Sequence, residues 1–249
     1  MAQFSLRPYQ VDDLAFYMSQ DRCINLSEPG TGKTPSVCVR QEQLFSDDKT
    51  KTMWSMPKSL LRKNRRELLA FTNLAPEQIQ IVDGTPDERE KQMNNPDAVT
   101  FLMGFRRFCD DWEKLQAIHP TAKSLMIDEW HMGGFKNPNS KGSIQMAKAA
   151  RRCQYFLPMS GTLIAGKLDN VIVHFIARDP YAFGDNYAPE RNHRDFSRSA
   201  ADIHYHRARR VLHWQPRANG RGHRLFDKKR CSRAGIESGI LHRPFFNFC

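Results

Sequence analysis

The sequence predicts an α/β fold, a mostly parallel sheet flanked by helices and followed by an irregular basic C-terminal tail. Three observations lead there. Short apolar runs recur along residues 1–196, amphipathic stretches of helical period separate them, and both patterns stop after Phe196. A chain of 249 residues has room for one domain of ordinary size and an appendage, so residues 1–196 are assigned to the domain and 197–249 to the tail. With 40% apolar and 26% charged residues it is neither fibrous nor wholly disordered. No stretch approaches the roughly 18 uncharged apolar residues of a membrane span, and residues 1–10 lack the basic start and apolar run of a secretory signal. The expected address is the cytoplasm, the host's if the chain is viral, with no membrane partner.

Taken in order, the apolar runs fall at residues 23–26, 53–56, 79–82, 99–103, 124–127 and 155–157, which gives six candidate strands. Between them lie helical stretches such as 59–71, where Leu60, Leu61, Leu68 and Leu69 are apolar and Arg62, Lys63, Arg65 and Arg66 take the remaining faces. Strand and helix in alternation require a parallel sheet covered on both sides, and ligands of such sheets sit beyond the carboxyl ends of the strands. The loops leaving strands therefore carry the chemistry. Cysteines stand at positions 23, 38, 109, 153, 231 and 249 without a CxxC pair, so they are read as thiols. The net charge of +11 is uneven: residues 1–196 hold 26 Lys and Arg against 24 Asp and Glu, and residues 197–249 hold 12 against 3. The basicity lives in the tail, which has only seven Ile, Leu and Val and no period of either kind.

Ser27-Glu28-Pro29-Gly30-Thr31-Gly32-Lys33-Thr34 follows an apolar run and opens a helical pattern, the setting of a phosphate-binding loop. Small residues at Gly30 and Gly32 let backbone N–H groups curl round an anion, the new helix presents its positive end, and Lys33 adds a point charge. Thr34 is placed to hold magnesium through its hydroxyl. Ser27 stands in place of the first glycine of the simplest pattern, and Pro35 costs only a donor that the first helical turn leaves unused. Farther on, the run 124–127 ends in Asp128 and Glu129. A carboxylate at a strand tip can hold magnesium, and its neighbour can orient or deprotonate an attacking water. His131 has no second ligand at metal spacing, so a polar coupling role suits it better than zinc.

The order of these motifs resembles the superfamily-two helicases, and within them the Swi/Snf-like DNA translocases with their short bacteriophage relatives. The match covers about residues 4–196. Leu6-Arg7-Pro8-Tyr9-Gln10 looks like the adenine-recognition motif, which implies that Gln10, with Arg7 beside it, contacts the base. Glu28, Gly30, Thr31, Gly32, Lys33 and Thr34 then form the nucleotide loop for ATP, and Asp128-Glu129-Trp130-His131 is similar to a DEAH box, with Trp130 where a small residue is usual. Met56-Pro57-Lys58-Ser59-Leu60-Leu61 resembles the first nucleic-acid-contacting motif, giving Lys58 and Ser59 to DNA, although Ser59 is equally read as a residue at a helix start. Residues 136–141 are similar to the segment that follows the acidic box in Swi/Snf-like enzymes. Ser160-Gly161-Thr162 looks like the motif that couples hydrolysis to movement, with Leu163 in place of a frequent proline.

The resemblance implies a RecA-like P-loop NTPase lobe using ATP and magnesium, and a motor whose second lobe supplies arginine fingers. Only 53 residues follow Phe196, too few for another such lobe. An arginine finger is worth roughly 10³–10⁵ in turnover, so slow hydrolysis is expected of this chain alone, with a separate second-lobe polypeptide as a partner beside duplex or single-stranded DNA. Asn219-Gly220-Arg221-Gly222-His223-Arg224 has no strand and helix series before it that could aim it as a finger. Three accounts of the tail stand: a basic arm gripping phosphates, a small zinc cap using His204, His206, Cys231 or Cys249, and non-native sequence from a shifted frame or truncated gene, which suits the abrupt loss of period best. The rival function is a non-motor module, in which one nucleotide-gated lobe binds DNA without translocating. A generic phosphate-loop kinase or GTPase is disfavoured by the motifs at Gln10 and at Ser160-Gly161-Thr162.

Overall fold

The computed structural model describes residues 5–28, 30–133, 135 and 140–161. Five strands, β1 Thr52–Met56, β2 Ile79–Val82, β3 Thr100–Gly104, β4 Ser124–Asp128 and β5 Tyr155–Met159, pair in the order β2-β3-β1-β4-β5. Every pairing is parallel, with Trp54 opposite Leu102 and Met126, and Met126 opposite Leu157. All carboxyl ends therefore lie along one edge. Among the described residues six α-helices connect or precede the strands: α1 Pro8–Met18, α2 Lys33–Asp48, α3 Leu61–Phe71, α4 Pro86–Met93, α5 Phe105–Ile118 and α6 Lys141–Arg152.

Period-two alternation splits the strand side chains between two cores. Met53, Phe101, Met103, Leu125, Ile127 and Phe156 pack with Phe108, Trp112 and Leu115 of α5 and Met146, Ala149 and Ala150 of α6. Trp54, Met56, Leu102, Met126, Leu157 and Met159 pack with Tyr17 of α1, Val37 and Cys38 of α2, and Leu61 and Leu68 of α3. Both faces are dry, so the strands read as continuous apolar runs.

The run expected as a sixth strand, residues 23–26, makes two single parallel bridges beside β5, Arg22 with Phe156 and Asn25 with Met159. Asn25 explains why no longer ladder forms. Its buried side chain donates to the Tyr17 hydroxyl and accepts from the Ser27 N–H, turning the chain away from the sheet after two bridges. The helical stretch expected at 59–71 divides into a short 3₁₀ turn, Lys58–Leu60, and α3. The boundary at Phe196 and the whole of the tail lie outside the described residues.

Local signals set the helix ends. Pro8 opens α1, where the Gln10 side chain accepts from the Arg7 N–H at 2.8 Å. Thr85 and Glu88 cap α4 reciprocally, and the Ser140 hydroxyl accepts from the Ser143 N–H at 3.1 Å to start α6. One buried ion pair locks α4 to α5: Arg89 Nε donates to Asp111 at 2.6 Å and its Nη1 reaches the Gly84 carbonyl at 3.0 Å. Truncating one member of such a pair strands the other charge, so Asp111→Ala should lower stability by about 3 kcal/mol in urea titration. Lys58→Ala, which opens a pair whose lysine is 75% exposed, should cost less than about 1 kcal/mol. Equal losses would show that the Arg89 pair is not buried in solution.

Candidate functional site

The loop 27–34 begins where the segment beside β5 ends. Asn25 N–H donates to the Pro158 carbonyl at 3.0 Å and Ser160 N–H donates to the Asn25 carbonyl at 3.1 Å, so the loop and the tip of β5 share a backbone ladder. Gly30 and Gly32 hold φ of 80° and 72°, the left-handed region that side chains disfavour. A Cβ at Gly32 would also stand 2.9 Å from the Gln10 amide nitrogen. Gly32 is the N-terminal cap of the 16-residue α2 and offers no side chain to its free N–H groups, which leaves the positive helix end facing the loop. The Lys33 ammonium donates to the Ser27 carbonyl at 2.9 Å and reaches the Glu28 carbonyl at 3.5 Å. Thr31 closes on the Glu28 carbonyl through its hydroxyl at 2.8 Å.

Across β5 lies the acidic tip of β4. Asp128 accepts from the Asn64 side chain of α3 at 3.2 Å, and Asn64 also contacts the Met56 sulfur at 3.2 Å. Glu129 adopts φ 47° and ψ 44°, after which a 3₁₀ turn, Trp130–Met132, begins. Trp130, the departure from the small residue usual in the resembled box, is 1% exposed and packs in the α5–α6 core with Phe135, pointing away from the acids. His131 Nδ1 lies 3.3 Å from Glu129 Oε2 and 2.7 Å from the Ser160 hydroxyl. Ser160 thus touches the loop segment through its backbone and the acidic tip through its side chain. Gly161 follows at the last described position, and Thr162 lies outside the described residues, as do Pro29 and residues 136–139.

Electrostatics tie the two halves together. Burial pulls the Lys33 ammonium below the usual lysine range, while the charges of Glu129 and Asp128 pull it back. Burial likewise raises the Asp128 carboxyl; the Asn64 hydrogen bond opposes, Glu129 adds to the rise, and Lys33 lowers it. One strand, β5, separates the 22–25 segment from β4, so two strand spacings, roughly 10 Å, lie between loop and acids. That gap suits an anion bridging both.

The residues present fit such a ligand. The Ser27 hydroxyl is buried with no hydrogen-bond partner among the described residues, and a Cβ at Gly30 would meet open space. No group of three or more His, Cys, Asp or Glu among the described residues is arranged to hold a metal alone. A cation at half-buried Thr34 and Asp128 would thus complete its shell with phosphate and water oxygens, as magnesium does.

The remaining expected residues divide between the loop and the far side of the sheet edge. Arg7 is exposed at the start of α1. The Gln10 amide nitrogen donates to the Gly32 carbonyl at 2.9 Å and the Tyr9 hydroxyl donates to the Thr31 carbonyl at 3.0 Å, so α1 grips the loop itself. Lys58 and Ser59 are exposed beyond the tip of β1, with Lys58 paired to Asp83 at 2.7 Å and Arg107 3.8 Å from the same carboxylate. Three positions were missed by reading the sequence. Asn25 and Asn64 are polar residues at otherwise apolar positions, Asn64 within the buried series Leu61, Asn64 and Leu68. Arg107 stands four residues after the apolar run 99–103, where Lys58 stands two after 53–56.

No protein-family model matches the chain, and no curated protein matches it. Solved structures do. The Sulfolobus solfataricus SWI2/SNF2 ATPase core in complex with dsDNA aligns at TM-score 0.58 and 21% identity, over 73% of this chain and 37% of that one. The UvsW helicase from bacteriophage T4 aligns at 0.55 and 15%, over 70% and 58%. The Pyrococcus furiosus Hef helicase domain aligns at 0.55 and 15%, over 69% and 36%. The chain spans less than three fifths of the length of each. The fold is a RecA-like α/β lobe, and no helix among the described residues is long and apolar enough to cross a membrane.

Because burial raises the Asp128 carboxyl, the folded chain binds this proton more readily than the unfolded chain does. The charged form therefore weakens the fold above the usual carboxylate range, and the penalty fades as pH falls through the raised value. Asp128→Asn should raise the stability of the ligand-free chain at pH 7, with the gain shrinking toward pH 4. Thermal melts at both pH values check this, and a lowered midpoint would mean that Asn64 and Lys33 outweigh burial.

Proposed function

We propose that this chain is the ATP-binding lobe of a Swi/Snf-like DNA helicase or translocase. The observation that carries the reading is the convergence of the Lys33 loop and the Asp128-Glu129 tip across a single intervening strand, coupled electrostatically. In this reading Gly30, Thr31 and Gly32 present backbone N–H groups to the phosphates, with Ser27 and Glu28 shaping the loop. Lys33 exchanges its carbonyl partners for the β and γ phosphates. Thr34 and Asp128 would hold magnesium, which when bound neutralises charge building on the transferred phosphoryl group.

Glu129 is the group that accepts a proton from, or orients, the attacking water. His131 Nδ1 is hydrogen-bonded to the Ser160 hydroxyl and lies 3.3 Å from Glu129 Oε2, so a shift at the acid would be felt at the end of β5. Ser160, Gly161 and Thr162 take the coupling role on that account. Gln10 and Arg7 are proposed for the base, Gln10 by releasing Gly32 when nucleotide enters. Lys58 and Ser59 are proposed for DNA phosphates; the SWI2/SNF2 core to which the chain is similar was solved with dsDNA. A second-lobe polypeptide acting in trans would complete the motor.

ATP hydrolysis by the full chain with and without DNA tests this. Lys33→Ala should abolish nucleotide binding. Glu129→Gln should retain it while turnover falls by about 10²–10⁴. Addition of a second-lobe polypeptide should stimulate the wild type. Nucleotide binding with no DNA- or lobe-stimulated turnover to lose would support the non-motor module in its place.

A further inference from the structure

On the flank of the lobe, away from the nucleotide loop, α3 and the outer edge of the sheet enclose an open groove of about 900 Å³ lined in part by Arg62, Arg65, Arg66, Ile79, Gln80 and Ile81. Arg62 and Arg66 are exposed, one helical turn or roughly 6 Å apart, and neither forms an ion pair among the described residues. Arg65, between them, is held in place: its Nε donates to the Ile79 carbonyl at 3.2 Å and its Nη2 to the Pro76 carbonyl at 3.0 Å. Glu77 is the one carboxylate among the residues lining the groove.

Among the described residues β2 is an edge strand, and such edges ordinarily invite an added strand. Here the invitation is withdrawn. Gln78 turns its carbonyl inward to the Val99 N–H, so the carbonyls of Ile79 and Ile81 face out. Arg65 takes the first, and the Gln80 side chain takes the second at 2.8 Å. An extended peptide would find both outward carbonyls already bonded, which weakens the main-chain bonding that gives strand addition its affinity. The chain's own tail is excluded by charge, with 12 Lys and Arg against 3 Asp and Glu. What the groove offers is a pair of uncommitted planar forks matched to phosphate oxygens, and no aromatic ring on which a base could stack.

We infer that the groove binds the phosphodiester backbone of a nucleic-acid strand without reading its sequence, extending the path that begins at Lys58 and Ser59. The inference rests on the DNA-binding reading, and α3 supplies the continuity because it starts directly after those residues. The strand would leave the tip of β1 and descend along α3 beside β2, where Arg62 and Arg66 each neutralise a phosphate.

The test is fluorescence anisotropy of a labelled 30-nucleotide single strand with the full chain between 50 and 200 mM salt, comparing wild type, Arg62→Gln/Arg66→Gln and Lys58→Ala. Two lost phosphate contacts should flatten the log–log salt slope by about 1.4 and weaken binding at 0.1 M salt on the order of tenfold. Circular dichroism of the double variant should be unchanged, since both side chains are exposed. An unchanged slope with Lys58→Ala still weakened would overturn the groove and leave the DNA-binding reading standing. No binding by wild type would overturn both. Displacement of poly-glutamate, with the DNA slope untouched, would give the groove to an acidic protein segment and so refute the inference.

Discussion

Two backbone hydrogen bonds fix the geometry of the candidate site: Asn25 N–H to the Pro158 carbonyl, and Ser160 N–H to the Asn25 carbonyl. They set the register of the segment beside β5, and a slip of two residues would move the loop by roughly 6.6 Å along the strand direction. The loop would then no longer face the tip of β4. Asn25 resists the slip because its side chain is spent on both neighbours, Tyr17 of α1 and Ser27 of the loop. Arg40 adds a second anchor, its buried guanidinium donating to the Tyr17 carbonyl at 3.2 Å and reaching toward those of Gln20 and Asp21. Helix α2, which carries Lys33 at its start, is thereby tied to the end of α1 and to the segment that leads into the loop.

With that frame fixed, the charges at the sheet edge are held in a state that suits a ligand better than it suits the folded chain alone. Lys33 is partly desolvated and rests on carbonyl oxygens, and Asp128 is half-buried beside a second carboxylate. Neutral donors and acceptors satisfy both groups at less than the strength of a full counter-charge. A triphosphate with its cation would supply the missing charges of both signs at once. The buried Ser27 hydroxyl, without a partner among the described residues, points the same way, since a polar atom of this kind is rare in a finished interior.

Much of this was legible in the sequence because it depends on spacing. The short continuous apolar runs marked the strands to within a residue or two, the two glycines marked the loop that bends sharply, and Asp128 had to stand at a strand tip once the run 124–127 was a strand. What could not be read depends on contacts across the fold. Asn64 looks like a solvated residue in a basic helix until α3 docks on the sheet and turns it toward Asp128. Gln10 carries a motif's worth of expectation, yet its amide spans the Arg7 N–H and the Gly32 carbonyl, a pairing 22 residues apart that no local pattern encodes. The sixth run failed as a full strand for a reason that was visible, the polar Asn25 at its centre, though its partners were not.

The acidic tip shows how one unfavourable residue can organise a site. Glu129 is one of two non-glycine residues with positive φ among those described, a conformation that costs roughly 1–2 kcal/mol. Its effect is directional. At the end of β4 the chain must send the bulk of Trp130 down into the α5–α6 core while keeping Asp128, Glu129 and His131 at the sheet edge, and a strand continuing straight would alternate these residues between faces. The left-handed turn at Glu129 breaks the alternation, and the Met132 N–H closes the turn on the Glu129 carbonyl at 2.8 Å. Burying Trp130 beside Phe135, worth on the order of 2–3 kcal/mol, outweighs the backbone strain. The large residue that departs from the resembled box is therefore the anchor that holds the two acids and the histidine where they stand.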